Sequence, residues 1–572
     1  MDFFRSTFFD KHTKLTLEQI NAKLAANSAP QNGVEVEFES GNMTIILDDG
    51  GKLVYTLGNG TLTLSENGGE PVTAPYAIQY MGDITIVTHL IPGTVRGFHI
   101  IIDEETNIVT VFETWFGGFE NDLREVWRDI RHGYNAHEGI EPPAARHELT
   151  NRVEGLGLYW ENDDATRELT FFPSIIWSSF VELSDARGGI TKTAPSDFYK
   201  INDHLFIYSR VECEYTGEFQ LEVIDLFNIE HIGVRLGFDL NDELNYFVFE
   251  GIGEITGRYA TLEALNDYGK EFPKDAMLGD MSARAKGDRP VYRPAYSHKD
   301  LSQAEVDEII KIGCTPFEGT SIMSSFNTME ASDYMAEKTF VLQYDDADSW
   351  EYKIADASHL SYRINGGEWH DERYEAYEPA PDIIIFSHVC TGSVPFRNPT
   401  HAVDFSNALA TCVDAQIGNG RTTWEVGHKA VFGVLMIEDG PIPPAVTRHG
   451  FTTDLVGKAF SWTYSDFMQS IHVYSSPESY SWTIMLGNNA GGFMWSSPCL
   501  YVKLRDDAYL MSWTEDTCNG SQGTLVLNPN IMHDGGFFFG VGEGDPQRVQ
   551  LTPMGAYSRP LGGFDIAKYF GK

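Results

Sequence analysis

The chain has 572 residues, 41 basic and 83 acidic, with a formal net charge of −42. Hydrophobic residues make up 42% and aromatics 13%, which excludes a disordered chain. No basic run is present to bind a phosphate backbone or an anionic membrane surface, and no stretch approaches the roughly 18 consecutive apolar residues of a membrane span.

The sequence opens Met1-Asp2-Phe3-Phe4-Arg5, without the basic start and apolar run of a signal peptide. Thr16-Leu-Glu-Gln19 then forms a capping box that predicts a helix over 17–26. Residues 97–116 read as a hairpin: two β-branched and aromatic runs flank Asp-Glu-Glu-Thr-Asn. Similar alternation over 200–211 and 217–228 predicts strands, whereas 120–131 and 261–270 are expected to be helical. Ser302-Gln-Ala-Glu305 is a second capping box, predicting a helix over 303–312. Tyr501-Val-Lys-Leu and Tyr509-Leu-Met-Ser-Trp513 flank Asp506-Asp507 as another tight hairpin.

The second capping box lies 286 residues after the first. Asn67-Gly68-Gly69-Glu70 returns as Asn365-Gly366-Gly367-Glu368, 298 residues on. Asp83-Ile-Thr-Ile-Val-Thr-His89 returns as Asp382-Ile-Ile-Ile-Phe-Ser-His388, and Arg146-His147 as Arg448-His449. Ser209-Arg-Val-Glu212 returns as Ser512-Trp-Thr-Glu515, 303 residues on. An offset that drifts slowly over many anchors marks a duplication with small loop insertions. Pro142-Pro143 and Pro443-Pro444 divide each half again. The organisation read from this is an N-terminal helical segment (1–33), barrels at 34–140 and 146–262, a linker with a helix (263–329), and barrels at 330–440 and 447–560. Many short strands with few helices favour antiparallel sheets that close on themselves, because closure removes exposed edges. The expected fold is all-β, with four modules in two duplicated halves.

Arg448-His449-x-x-Thr452, Val456-Gly457-Lys458 and Tyr501 to Glu515 resemble the C-terminal module of MoaF-like proteins (molybdenum cofactor biosynthesis protein F), with a fainter copy at 146–262. That resemblance implies tandem calycin, lipocalin-like antiparallel barrels. In the third module Ser349-Trp350-Glu351-Tyr352, Leu360 to Gly367 and Asp382-Ile-Ile-Ile are similar to bacterial phenolic acid decarboxylases, also calycin barrels, which work without a cofactor. Carried over by position, that family's second tyrosine falls on Tyr344 and its arginine on Arg363. Its first tyrosine falls on Leu342 and its glutamate on His388, two departures from the pattern.

His89 and His388 each sit in an otherwise apolar strand, as a general acid or base in a cavity or as a hydrogen-bonded core group. Arg363 offers a fork for a carboxylate and Tyr344 a second donor, unless the arginine lies on the solvated face. Arg448 and His449 line a barrel mouth in one reading and clamp two barrels in the other. Glu212 and Glu515 are candidate buried acids. Trp350, Trp462, Tyr480, Trp482, Tyr509 and Trp513 are candidates to stack on a flat ligand. The catalytic set is therefore His388, Tyr344, Arg363, Glu515 and His89.

No Cys-x-x-Cys pair, His-Glu-x-x-His, dinucleotide loop or Gly-x-Ser-x-Gly elbow occurs, so neither a metal nor an organic cofactor is expected. The expected function is a cofactor-free lyase or isomerase acting on a small aromatic or apolar molecule, with a non-catalytic carrier as the alternative. Six sparse cysteines suggest reduced thiols and a cytoplasmic protein; a homodimer is left open.

Overall fold

The computed structural model describes residues 15–32, 41–58, 60–117, 123–173, 176–184, 189–212, 216–239, 241–259, 304, 307, 311, 313–318, 327–393, 395–417, 426–437, 447–466, 468–486, 494–515, 521–542 and 545–570. The chain divides into two compact units, one built of the first two barrels and one of the last two.

The helix Leu17–Ala26 forms as expected. Thr16 Oγ1 accepts from Gln19 N–H at 3.2 Å and Gln19 Oε1 accepts from Thr16 N–H at 2.8 Å, the reciprocal bonds of a capping box. Its apolar face buries Ile20 and Leu24. The first barrel closes eight antiparallel strands, from Gly41–Leu47 to Val126–Asn135, through Ile45 opposite Asn135. The third barrel repeats this arrangement from Thr339–Tyr344 to Val426–Ile437. Both copies of the Asn-Gly motif make the same turn: Asn67 and Asn365 have φ of 53° and 52°, and Gly68 and Gly366 follow at 76° and 72°. Two successive left-handed residues twist a hairpin in the sense its strands require, and Asn-Gly reaches them with little strain.

The second barrel closes where Leu156–Asn162 pairs with both Arg167–Phe171 and Leu244–Tyr259. The fourth closes where Lys458–Thr463 pairs with both Gln469–Val473 and Tyr557–Phe564. The segment expected to link the halves adds a short strand, Cys314–Pro316, parallel to Val549–Leu551 of the fourth barrel. The duplication and the all-β, barrel-forming fold are therefore as the sequence indicates.

The helix expected over 120–131 is corrected. Residues 126–131 begin the strand Val126–Asn135, whose residues 126–134 pair with Ile108–Phe116. The pairing partner, distant in local pattern, decides the conformation. The helix at 261–270 lies outside the described residues, as does most of 303–312.

Each unit has a core between its barrels as well as inside them. In the first unit Phe219, Leu221, Val223, Val234 and Leu236 of the second barrel pack on Ile86, Ile101 and Phe112 of the first. This fixes register: in Phe219–Asp225 the odd residues face the neighbouring barrel, so Gln220, Glu222 and Ile224 must point into the lumen. The third and fourth barrels meet likewise through Ala402, Val413, Leu500, Val502, Leu510 and Phe537. Among the described residues, no helix is long and apolar enough to cross a membrane. Cys390, Cys412 and Cys499 are free thiols.

Candidate functional site

The third barrel brings Tyr344 and His388 into one buried relay, through two residues the sequence did not single out. Tyr344 Oη lies 2.7 Å from His401 Nδ1, His401 Nε2 lies 2.7 Å from Tyr352 Oη, and Tyr352 Oη lies 3.1 Å from His388 Nε2. One proton arrangement satisfies all three contacts with every group neutral: Tyr344 donates to His401, His401 donates through Nε2 to Tyr352, and Tyr352 donates to His388. Burial pushes His388 down to about 3 and takes His401 well below the usual range, so both imidazoles are neutral at physiological pH. Trp350 packs edge-on against both histidines.

The first barrel keeps only a remnant. His89 Nε2 lies 3.1 Å from Tyr55 Oη, and burial lowers His89 to about 4. Where the third barrel has Tyr344 and His401, the first has Leu47 and Ile100, both buried.

Arg363 is not part of this interior. Leu360 and Tyr362 of its strand point inward, which sends Ser361 and Arg363 outward. Arg363 is half-buried on the outer face, donating to Glu351 at 2.5 Å and lying over the Trp369 ring. Arginine on the solvated face of a barrel strand was the alternative reading, and the geometry takes that form. A different arginine, Arg397, caps Trp350 with its guanidinium carbon 4.9 Å from the ring, held by Asp414 and Asp348.

The Arg-His pairs take the clamp geometry in both copies. His147 Nδ1 lies 2.8 Å from Thr110 Oγ1, and His449 Nδ1 lies 2.8 Å from Thr411 Oγ1, each joining a linker to the preceding barrel. Arg146 pairs with Asp48, and Arg448 with Asp345. In the fourth barrel Glu515 is buried and accepts from Trp513 Nε1 at 2.6 Å. Trp462 and Tyr480 are buried inside with Trp513. Trp482 donates to Ser497 Oγ at 3.3 Å, and Tyr509 donates to Asp454 at 3.1 Å near one end.

The most chemically equipped interior is one the sequence reading passed over. The second barrel encloses a cavity of about 280 Å³ lined by Glu168, Phe180, Glu182, Lys192, Arg210, Glu212, Glu218, Gln220 and Arg235, with Thr216, Asp239, Asn241 and Asn245 toward its mouth. Arg210 is held in a two-pronged pair with Glu168, at 2.8 and 2.6 Å, over the face of Phe180 at 3.6 Å. It also donates to Gln220 Oε1 at 2.9 Å. From there the network runs inward: Gln220 donates to Glu222 at 2.5 Å, Glu222 meets His231 Nδ1 at 2.7 Å, and His231 Nε2 reaches Asn162 at 2.8 Å. His231 stacks on Trp160 with ring centroids 4.0 Å apart. This fit needs glycine opposite: a Cβ on Gly251 would sit 2.5 Å from His231 Nε2, and one on Gly253 would sit 2.5 Å from the Trp160 ring.

The remaining charged groups face the open volume. Lys192 Nζ lies 3.3 Å from Glu182. Arg235 donates to Gln220 through Nε at 3.0 Å, over the rings of Phe247 and Phe249, while its NH1 is 3.7 Å from Asp164. Glu212 accepts from Thr216 Oγ1 at 2.7 Å. Two carboxyls are driven apart. For Glu218, burial raises the pKa, only partly offset by Arg235, and the nearby Glu182 adds to the rise. For Glu182, burial opposes ionisation, but Lys192 and Arg235 outweigh it and the pKa falls.

The signal for this site was present but ambiguous. Phe206-x-Tyr208-x-Arg210-x-Glu212 and Gln220-x-Glu222 alternate polar groups against apolar ones, the pattern of a strand with one wet face. Only closure of the sheet turns that face into an interior. Among the described residues, no three His, Cys, Asp or Glu side chains converge as metal ligands.

Residues 449–563, essentially the fourth barrel, match the family model of the MoaF C-terminal domain. The MoaF-like reading of that module therefore stands. Among solved structures the chain is similar to a protein of unknown function from the DUF3598 family of Nostoc punctiforme, at 13% identity and a TM-score of 0.21, over 38% of this chain and 94% of that one. No curated protein matches the chain.

Proposed function

We propose that the chain is an acid–base lyase or isomerase whose chemistry takes place in the second barrel, on a small molecule bearing a carboxylate. The observation that carries this is the lumen itself: cationic and carboxylic side chains converge on one cavity inside a closed barrel, where a pocket serving only packing would be apolar. Arg235 and Lys192 provide charge for the substrate carboxylate, and Phe180 gives an apolar wall. Glu218, whose pKa burial raises, is the acid, and Glu182, whose pKa Lys192 draws down, is the base. Carboxyls whose pKa values are pushed in opposite directions are what acid–base chemistry at one site calls for.

In a dehydration, Glu182 takes the proton from the carbon beside the substrate carboxylate. The electron pair forms the carbon–carbon double bond, and Glu218 protonates the departing hydroxyl, which leaves as water. In a double-bond shift the same abstracted proton returns at another carbon. Either reaction needs only positioned acid and base groups. This replaces the apolar substrate expected from the sequence with a polar one. Free thiols at Cys390, Cys412 and Cys499 support a cytoplasmic site of action.

The test is deuterium exchange in D2O, followed by proton NMR, with the full chain and a panel of small hydroxy- and unsaturated carboxylates. Exchange beside the carboxylate is expected for some member of the panel, and Glu182→Gln should slow it by about a hundredfold or more. Binding without exchange makes the barrel a carrier, and exchange that survives Glu182→Gln removes the assigned base; either result overturns the proposal.

A further inference from the structure

The fourth barrel is the duplicate of the second, and its lumen has been rebuilt. Residues 302 or 303 positions apart occupy the same register: Arg210 and Trp513 each pair across to Gln220 and Gly523, and Ile224 and Leu527 to His231 and Asp534. On the inward face Glu168 becomes Ser470, Arg210 becomes Trp513, Glu222 becomes Leu525, Arg235 becomes Phe538 and His231 becomes Asp534. The charged groups of the sister barrel are gone from these positions, and rings replace several of them.

These rings form a continuous wall. Trp462 lies 5.4 Å from His472, His472 lies 5.1 Å from Tyr480, and Tyr480 lies 6.1 Å from Trp513, measured between centroids. Tyr474 joins them at 6.1 Å from Tyr480. Within this wall, among the described residues, five buried polar atoms make no hydrogen bond: Asp534 Oδ2, His472 Nδ1, Ser558 Oγ, Trp462 Nε1 and Tyr474 Oη. Asp534 is 0% exposed, His472 5% and Ser558 6%. They share the lumen. His472 stands on Trp462, Ser558 is the cross-strand partner of Trp462, and Asp534 acts electrostatically on Tyr464 and Tyr474. Buried polar groups in proteins are nearly always paired, so five on one inner surface point to a partner from outside the chain.

We propose that the fourth barrel is a second binding site, for a flat aromatic molecule that carries a carbonyl oxygen. The rings supply stacking faces on which such a molecule lies. Asp534 supplies the polar contact. Its Oδ1 accepts from Ala556 N–H at 2.6 Å, which leaves Oδ2 for the ligand. Burial raises this carboxyl to about 8, so at neutral pH Oδ2 carries a proton and donates, and the matching ligand atom is an acceptor. Ser558 supplies a hydroxyl and His472 Nδ1 a further ring position. A carboxylate ligand is disfavoured here, because no arginine or lysine stands where Arg210 and Arg235 stand in the sister barrel. The two barrels thus divide polar and aromatic ligands between them, and this second site stands whether or not the second barrel is catalytic.

The test compares 2-acetylnaphthalene with 2-ethylnaphthalene, which has the same shape without the oxygen, binding to the full chain by calorimetry and tryptophan fluorescence. The ketone is expected to bind at least tenfold more tightly. Asp534→Leu should abolish that ratio while leaving the hydrocarbon within twofold, and Asp534→Asn, which keeps a donor, should retain most of it. Equal affinity for the two compounds in the unmodified protein, no binding of either at millimolar concentration, or a ratio untouched by Asp534→Leu would each overturn the proposal. Should Asp534→Leu lose its folded circular dichroism, the ratio in the unmodified protein and in Asp534→Asn decides.

Discussion

The two halves differ at a buried ion pair, and the difference predicts its own rescue. In the first unit Arg128 of the first barrel donates to Asp197 of the second through Nε at 2.9 Å and through its NH2 at 2.5 Å. The same NH2 donates to the Pro195 carbonyl at 3.0 Å, and Ser209 adds a bond to Asp197 at 3.2 Å. Arg128 is 6% exposed and Asp197 2%. At the equivalent positions of the second unit stand His428, whose Nδ1 lies 2.9 Å from Ser512 Oγ, and Leu500, so the carboxylate is absent there. Removing one partner of a buried pair strands the other charge and costs about 3–5 kcal/mol, whereas replacing both by apolar groups is often nearly neutral. Arg128→Ala and Asp197→Leu should each destabilise the first unit by about that amount. Arg128→Ala with Asp197→Leu together, which leaves neither charge stranded, should cost under about 2 kcal/mol, although independent losses would add to about 6–10. Scanning calorimetry resolves this, since 1 kcal/mol moves the midpoint of a domain this large by roughly 2–4 °C. A double variant that falls by the sum of the single losses would refute the reasoning.

The relay in the third barrel should be costlier to cut than its remnant in the first. Tyr352→Phe leaves His388 Nε2 and His401 Nε2 both buried without partners and should destabilise by about 2–5 kcal/mol, against about 1–3 for Tyr55→Phe, as calorimetric midpoints would show. Acid should unfold the protein early. Burial lowers His388, His99 and His472 to about 3, and His89, His147 and His449 to about 4. Below the ordinary histidine range the unfolded chain takes up protons that the folded chain refuses. Stability is therefore full above about pH 6.5 and falls between there and about pH 4, by roughly 1.4 kcal/mol per pH unit for each such histidine. Asp534, raised to about 8, works in the opposite sense and costs stability as the pH rises from its unfolded value toward 8. Urea midpoints at pH 7, 6 and 5 check the slope, and a flat profile would count against neutral burial of these imidazoles.

The fold was legible because duplication exposes itself. Anchors such as Asn67-Gly68 and Asn365-Gly366 recur in order, and the turn they make is set by local backbone preference, so both copies fold alike. The helix over 17–26 was readable for the same local reason. The strand at 126–131 was not, since its partner, Ile108–Phe116, decides its conformation. Within the third barrel Tyr344 and His388 lie inside together, but His401, which joins them to Tyr352, has no sequence mark except that Ile100 stands at its place in the other half. Arg363 was ambiguous by one residue, because in a strand a single step in register decides between lumen and solvent.

The same one-step rule explains why the second barrel escaped notice and what would have revealed it. Glu222 alone reads as a solvated charge. Set beside Leu525 of the fourth barrel, it reads differently, because a face that holds a buried leucine in one copy faces no solvent in the other. Outward positions of these strands meet the neighbouring barrel: Ile207 and Val223 remain apolar as Leu510 and Val526, whereas Phe219 and Leu221 become Gln522 and Thr524, both bonded to Ser512. Inward positions diverge from charge to ring, Arg210 to Trp513 and Arg235 to Phe538. A lumen tolerates exchange as long as what enters it can satisfy what lines it, so the replacement of charges by rings on the inward face is the pattern expected if the two barrels came to hold different guests.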